Sequence, residues 1–224
     1  MDGDLRVVPP SYRRLKLPGL EVRELGLKNY TQVLQLMRSF TEERTLETPD
    51  EIWVVEHPPT FTLGQSGDPS HILHADDIPI VQSDRGGQVT YHGPGQLVIY
   101  VLVDIVRFGV GVREFVRTLE QSIIDLLKAA QVKSERRVGA PGVYVDDRKI
   151  AALGIRVKRG RCYHGLSLNV DMDLTPFSQI NPCGYPGLEV TQLADLGVDW
   201  GMDVVAVNLV EKLSSRFSLG MRAN

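Results

Sequence analysis

Two cysteines in 224 residues are too few for a disulfide framework, so the fold has to rest on a packed core. No apolar run approaches the roughly 20 residues that a membrane-spanning helix needs. The opening Met1-Asp2-Gly3-Asp4-Leu5-Arg6 lacks the basic patch and apolar stretch of a secretory signal. Together these absences set the expectation of a cytoplasmic protein with no membrane contact. An excess of one charge is missing too. Lys and Arg number 25 against 28 Asp and Glu, a net charge of −3, which argues against a non-specific nucleic-acid binder. Neither common phosphate cradle is present: there is no Gly-x-Gly-x-x-Gly and no Gly-Lys-Ser/Thr. His71-x-x-His74 comes without a third ligand at metal-binding spacing, so a metal reading is set aside.

What is abundant, locally, is glycine. Arg85-Gly-Gly-Gln-Val-Thr-Tyr-His-Gly-Pro-Gly-Gln96 holds four of the 21 glycines in twelve residues. Glycine lets a backbone turn through positive φ and lets a ligand or another chain segment approach. Gln88, Thr90, Tyr91 and His92 are interleaved with those glycines, more hydrogen-bonding groups than a connecting turn needs. The stretch reads as one wall of a substrate pocket, and a plain glycine-rich turn is the competing reading. The apolar run Leu97–Val103 behind it reads as a buried strand.

The first twenty residues read as an extended arm or short first strand. Tyr30, Val33, Leu34, Met37 and Phe40 fall on one helix face, as do Phe115 to Ala130 and Ala206 to Phe217 in two later helices. Ile52–His57 reads as a strand stopped by Pro58-Pro59, Phe61–Gly64 as a short strand facing the pocket, and Pro79–Val81 as another. Val143–Val145 and Lys149–Arg156 pair across Asp146-Asp147, and Arg159-Gly160 makes the next tight turn. Alternation then places Cys162, His164, Leu166, Leu168 and Val170 on one face. Hairpins mixed with separate helices, without βαβ alternation, indicate an α+β fold in one domain over residues 1–224. The stretch from about residue 170 is a candidate small subdomain.

Cys162 alternates with aliphatic residues and reads as core. Cys183, between Pro182 and Gly184, sits where a loop can present its thiol. A nucleophilic cysteine needs a neighbouring cation or base. His92 and His164 lie in glycine contexts suited to a pocket, but neither spacing certifies a Cys-His pair. Lys149 opens an otherwise apolar strand. Its default place is in water. Turned inward beside Cys183, it would stabilise the thiolate, and burial would lower its own pKa so that it could exchange protons. Nine cations (Lys133, Arg136, Arg137, Arg148, Lys149, Arg156, Lys158, Arg159, Arg161) fall within 29 residues. They suggest a docking patch for an acidic protein partner; a solvated hairpin face is the plainer reading.

Five motifs occur in order: the glycine stretch, Gly142-Val-Tyr-Val, Lys149-Ile-Ala-Ala-Leu-Gly154, His164-Gly-Leu-Ser-Leu-Asn169 and Asn181-Pro-Cys-Gly184. The set resembles the lipoyl(octanoyl) transferases, also called lipoate-protein ligase B, over roughly residues 20 to 215. The resemblance implies the lipoate/biotin protein ligase-like (class II synthetase-like) α+β fold, a mixed and largely antiparallel sheet with flanking helices. It implies that Cys183 carries the acyl group as a thioester, while Lys149 lowers the thiol's pKa and shuttles protons. Arg85, Gly86, Gly87, Gln88, Val89, Thr90, Tyr91 and His92 would line the acyl pocket. So would Ala152, Leu153 and Gly154, together with Gly165, Leu166 and Ser167, and His164 is a further candidate. Ala152 and Ser167 stand where the family has other small residues. The implied donor is octanoyl-acyl carrier protein, its acyl group held on phosphopantetheine. The implied acceptors are lipoyl domains of 2-oxoacid dehydrogenase complexes and the glycine cleavage H protein, with no ATP or metal. Backbone N–H groups near Gly184 are candidate oxyanion donors. The rivals are an ATP-dependent lipoate or biotin ligase on the same fold and a non-catalytic carrier-binding module. The Cys183 and Lys149 pair argues against both.

Overall fold

The computed structural model describes residues 20–222, with side chains placed through Phe217; the expected N-terminal arm lies outside those residues. Ten strands and three α-helices occur among them. In order they are β1 (Leu20–Leu27), α1 (Tyr30–Glu43), β2 (Asp50–Glu56), β3 (Thr60–Leu63), β4 (Ile80–Gln82), β5 (Val89–His92) and β6 (Gln96–Asp104). There follow α2 (Val112–Ala129), β7 (Glu135–Arg137), β8 (Ala140–Val145), β9 (Arg148–Lys158), β10 (Arg161–Asn169) and α3 (Met202–Arg222). A seven-stranded sheet runs β1-β2-β6-β10-β9-β8-β7, antiparallel except for the β1–β2 pair. A small sheet, β4-β3-β5, stands beside it.

Period-2 alternation divides the large sheet's two faces. Ile52, Val54, Leu97, Ile99, Val101, Leu166 and Leu168 pack on one side against α2 and α3. Trp53, Val55, Val98 and Tyr100 point the other way, where α1 covers them with Tyr30, Val33, Leu34 and Met37. Each fully buried aliphatic or aromatic side chain of this kind is worth roughly 1.5–3 kcal/mol of transfer free energy. Asn29 starts α1 by accepting the Thr31 N–H at 2.9 Å. On α3, Leu209, Val210, Leu213 and Phe217 enter the core that α2 fills, and the Phe115 and Phe217 rings stack at 5.6 Å.

Both expected hairpin turns form. Asp146 and Asp147 lie at φ 45° and 69°, and Arg159 and Gly160 at 52° and 79°, so each pair makes a two-residue turn in the left-handed region.

Two expectations change. β3 is a strand but does not face the pocket: Phe61 packs with Val89, Tyr91 and Phe177, and Thr62 is spent on Arg85. His164 leaves the face it was expected to share with Cys162 and Leu166. Its φ of +63° breaks the pleat, so its ring stacks on its neighbour Tyr163 at 5.0 Å instead of pointing oppositely. Alternation assigns faces only while the backbone stays extended.

Candidate active site

The uncovered part of the α1 face, over β6, β10 and β9, is floored by small residues. Ala152 pairs with Ser167 and Gly154 with Gly165, leaving a trough. The glycine stretch roofs it. Gly86 donates its N–H to the Ile155 carbonyl at 3.0 Å, and a Cβ on Gly154 would lie 2.8 Å from the Gly86 oxygen, so the roof crosses β9 where only glycine fits. Arg85 staples this roof to β3. It donates to the Thr62 carbonyl at 2.6 Å, the Gln88 carbonyl at 2.7 Å and the Thr62 hydroxyl. Burial lowers the Arg85 pKa, and its hydrogen-bond partners are neutral acceptors.

The resulting cavity measures about 370 Å³. Arg85, Gly86, Gly87, Gln88, Val89, Thr90 and His92 line it, as do Ala152, Leu153, Gly154, His164, Gly165, Leu166, Ser167 and Cys183. Tyr91 does not. It alternates away from its neighbours into the small sheet's core, its ring 5.5 Å from those of Phe61 and Phe177. The sequence reading missed Tyr30, Val98, Tyr100, Pro141 and Tyr185, which also line it. Tyr100, a lone hydroxyl in an otherwise aliphatic buried strand, was the available signal.

Cys183 sits in a 3-10 turn, Pro182–Gly184, at φ 57° and ψ 19°, an unusual conformation for a residue with a Cβ. The segment before it is pinned from outside: Asn181 N–H donates to the His71 carbonyl at 2.8 Å. The Gly184 N–H bonds to Asn181 O and the Tyr185 N–H to Pro182 O, so these two of the candidate oxyanion donors are already engaged.

Lys149 is 4% exposed rather than solvated. Its backbone pairs with the chain beyond the cysteine, donating to Glu189 O and accepting from Thr191 N–H. Its ammonium donates to Cys183 Sγ at 2.9 Å and to the Pro141 carbonyl at 3.0 Å, and stands 5.2 Å over the Tyr144 ring. Burial alone would lower its pKa, as the sequence suggested. The charge and hydrogen bond of Cys183, joined by Tyr144, outweigh burial and raise it. A second, smaller cavity contains Lys149 and Cys183 together with Thr90, Ala152 and Ser167.

Away from the thiol the cavity meets rings. The Lys28 carbonyl can only accept, so His57 carries its proton on Nδ1 and accepts a hydrogen bond from the Tyr100 hydroxyl on Nε2, at 2.7 Å. His92 bonds through Nδ1 to Gln96 Oε1. Desolvation brings the pKa of His57 down to about 4 and that of His92 to about 3, so both are neutral near pH 7. His164 Nε2 donates to Asp84, and burial lowers its pKa as well. Burial pushes the Asp84 carboxyl up, but hydrogen bonds from His164, Tyr163 and Arg38 hold it well below the usual carboxylate range. Cys162 is fully buried, and that burial pushes its thiol well above the usual range.

Several cations of the basic run have partners of their own. Lys149 is at the thiol, Arg136 pairs with Glu120, Arg137 with Asp147, and Lys158 with Glu42.

The chain matches the family described as lipoyl protein ligase A/B catalytic domain over residues 29–214. It is 55% identical over 210 residues to an octanoyltransferase of Thiobacillus denitrificans, covering 94% of this chain and 93% of that protein. It is likewise 55% identical over 211 residues to an octanoyltransferase of Xanthomonas euvesicatoria, covering 94% and 90%. Among solved structures it resembles a lipoate-protein ligase A bound with ATP, at TM-score 0.73 and 16% identity over 89% of this chain and 85% of that one. It also resembles the biotin protein ligase of Aquifex aeolicus, at TM-score 0.56 and 13% identity over 90% and 71%. These two share its α+β fold. With more than half its length in one family and relatives this similar end to end, the chain belongs to the octanoyltransferases, acyltransferases built on the lipoyl protein ligase A/B catalytic domain.

Proposed function

We propose that this chain, acting as a single catalytic unit, moves an octanoyl group from acyl carrier protein to the acceptor lysine of lipoyl domains through a thioester on Cys183. The observation that carries the reading is the 2.9 Å contact between Lys149 Nζ and Cys183 Sγ at a cavity lined by small and apolar groups.

In the first half, the Cys183 thiolate attacks the acyl carbonyl and the bond to the phosphopantetheine sulfur breaks. The Lys149 ammonium gives that departing sulfur its proton. A coupling between the two residues favours this order. While the thiolate faces Lys149, its charge outweighs burial and holds the proton on nitrogen. Acylation removes the charge, Tyr144 alone is left to oppose burial, and the ammonium becomes a better acid. In the second half, the neutral Lys149 amine takes a proton from the incoming lysine, whose nitrogen attacks the acyl-enzyme. The amide forms, the C–S bond breaks, and the thiolate returns beside a recharged Lys149. In the first half the Lys149 ammonium, 2.9 Å from the sulfur, is also a cation for the oxyanion of the tetrahedral intermediate.

Exchange of one thioester for another is nearly balanced, and amide formation from a thioester is downhill, so the cycle needs neither ATP nor a metal. Ping-pong kinetics follow. The acceptors are lipoyl domains of 2-oxoacid dehydrogenase complexes and the glycine cleavage H protein. Intact-protein mass spectrometry after incubation with octanoyl-acyl carrier protein, without ATP, is the test. One octanoyl increment, removed by hydroxylamine and absent in Cys183→Ala, is expected. An increment seen only with free octanoate and ATP would replace this reading with adenylate chemistry.

A further inference from the structure

The cavity has two unlike ends. At one, Cys183 lies by the Ala152–Ser167 pair of the floor, where the smaller cavity also reaches Lys149. From there the trough continues along β10 over Gly165, whose partner is Gly154, and stops at His164. Ser167 to His164 is three residues of strand, about 10 Å. An extended octanoyl group spans about 9 Å from carbonyl carbon to methyl, taking carbon–carbon bonds near 1.5 Å in a zigzag. The floor therefore ends where an eight-carbon chain ends.

What ends it is the break at His164. Had β10 kept its pleat, residue 164 would join Cys162 and Leu166 on the face packed by α2 and α3. Instead φ +63° swings the imidazole to the trough side, against Tyr163 at 5.0 Å and 6.1 Å from the Tyr100 ring. Tyr100 leads on to His57, and His57 to Tyr30 and His92, through ring contacts of 5.2–5.8 Å. The polar atoms of this wall are largely spent on protein partners: His164 Nε2 on Asp84, the Tyr100 hydroxyl on His57, the Tyr30 hydroxyl on Ser83. His164 Nδ1 is buried without a partner; beside it, rings and carbon edges are left to meet a chain. His164 itself is 1% exposed, so the wall is closed. Behind it Asp84 is half-buried and Arg38 is exposed.

We propose that His164, backed by Tyr100, is the end stop of the acyl trough and the residue that sets the chain length at eight carbons. The proposal rests on the acyl-enzyme reading above. A longer chain would have to displace the imidazole from Asp84, losing a buried charge-assisted hydrogen bond, or compress a closed ring wall.

The test is the rate of Cys183 acylation by saturated acyl-carrier-protein thioesters of six to fourteen carbons, followed as mass adducts. His164→Gly removes the stop without backbone strain, because glycine accepts φ +63° freely. Wild type should fall off by roughly tenfold or more between eight and twelve carbons, and His164→Gly should close that gap to within about threefold. His164→Asn, which tolerates the same backbone and is shorter, should shift the profile the same way by a smaller amount. Tyr163→Phe loosens Asp84 but leaves the wall standing, so its profile should match wild type. Identical profiles for wild type and both His164 variants would overturn the proposal, as would an equal shift in Tyr163→Phe. Absence of adducts of every length in wild type would instead overturn the acyl-enzyme reading, and this proposal with it.

Discussion

Gly142 and Lys149 are in contact across the β8–β9 pair: a Cβ on Gly142 would lie 2.8 Å from Lys149 Cε and 2.7 Å from the Ala151 carbonyl oxygen. Gly142 also holds φ +142° and donates its N–H to buried Glu120 at 3.0 Å. The next carbonyl back, Pro141 O, is the one that receives the ammonium. Gly142→Ala should therefore cost about 1–3 kcal/mol of stability through strain. It should also slow Cys183 acylation by roughly tenfold or more by moving the ammonium off the sulfur. Thermal melts and single-turnover acylation measure the two effects. Full-rate acylation by the folded variant would mean that Lys149 needs no fixed position.

Lys149→Ala should slow alkylation of Cys183 by iodoacetamide at pH 7 by about tenfold, since a thiolate without its cation is less populated. The same substitution has a signature in stability against pH. The lysine's folded pKa lies above its ordinary 10.5, so the contribution of the pair is complete below that value and lost as pH rises through the folded one. Wild type should lose melting temperature on that alkaline limb, and Lys149→Ala should lose less. Equal alkylation rates would remove the lysine from thiolate stabilisation.

On the acid side the buried histidines set the behaviour. Once unfolded, His57 and His92 bind protons from their ordinary 6.5 downward, whereas in the fold burial withholds the proton until about 4 and about 3. The unfolded state therefore holds more protons through that window, and stability must fall as pH drops from 6.5 towards 4. Melting temperature should decline before the carboxylates titrate. A flat melting temperature between pH 6.5 and 4.5 would contradict the neutral, buried assignment.

Arg159 is exposed at the tip of the β9–β10 hairpin, while Lys158 beside it is paired with Glu42. Arg159→Glu should raise KM for the acyl carrier protein at low salt, with the difference shrinking as salt screens it. An unchanged KM at low ionic strength would make the hairpin an ordinary solvated surface.

Much of this was legible from local pattern. The three helix faces show because apolar spacing near 3.6 survives in any packing context. Asp146-Asp147 and Arg159-Gly160 show as turns because those residues tolerate left-handed φ. The glycine stretch reads as a wall because close backbone approach demands glycine, and it lies within reach of Ile155 O and Thr62. Cys183 stands out through its Pro and Gly neighbours, which remove it from regular structure.

Sequence by itself determined these elements, their order and the α+β class, because each depends on chemistry within a few residues. Tertiary structure alone decided that Lys149, 34 positions from Cys183, turns inward, since a strand's first lysine is solvated unless a distant segment such as residues 189–191 covers it. It alone decided that the Lys158 charge is answered by Glu42, 116 positions away. It turned Tyr91 out of the pocket and His164 into it. Alternation names two faces without saying which one a ligand occupies, and a single positive φ exchanges them.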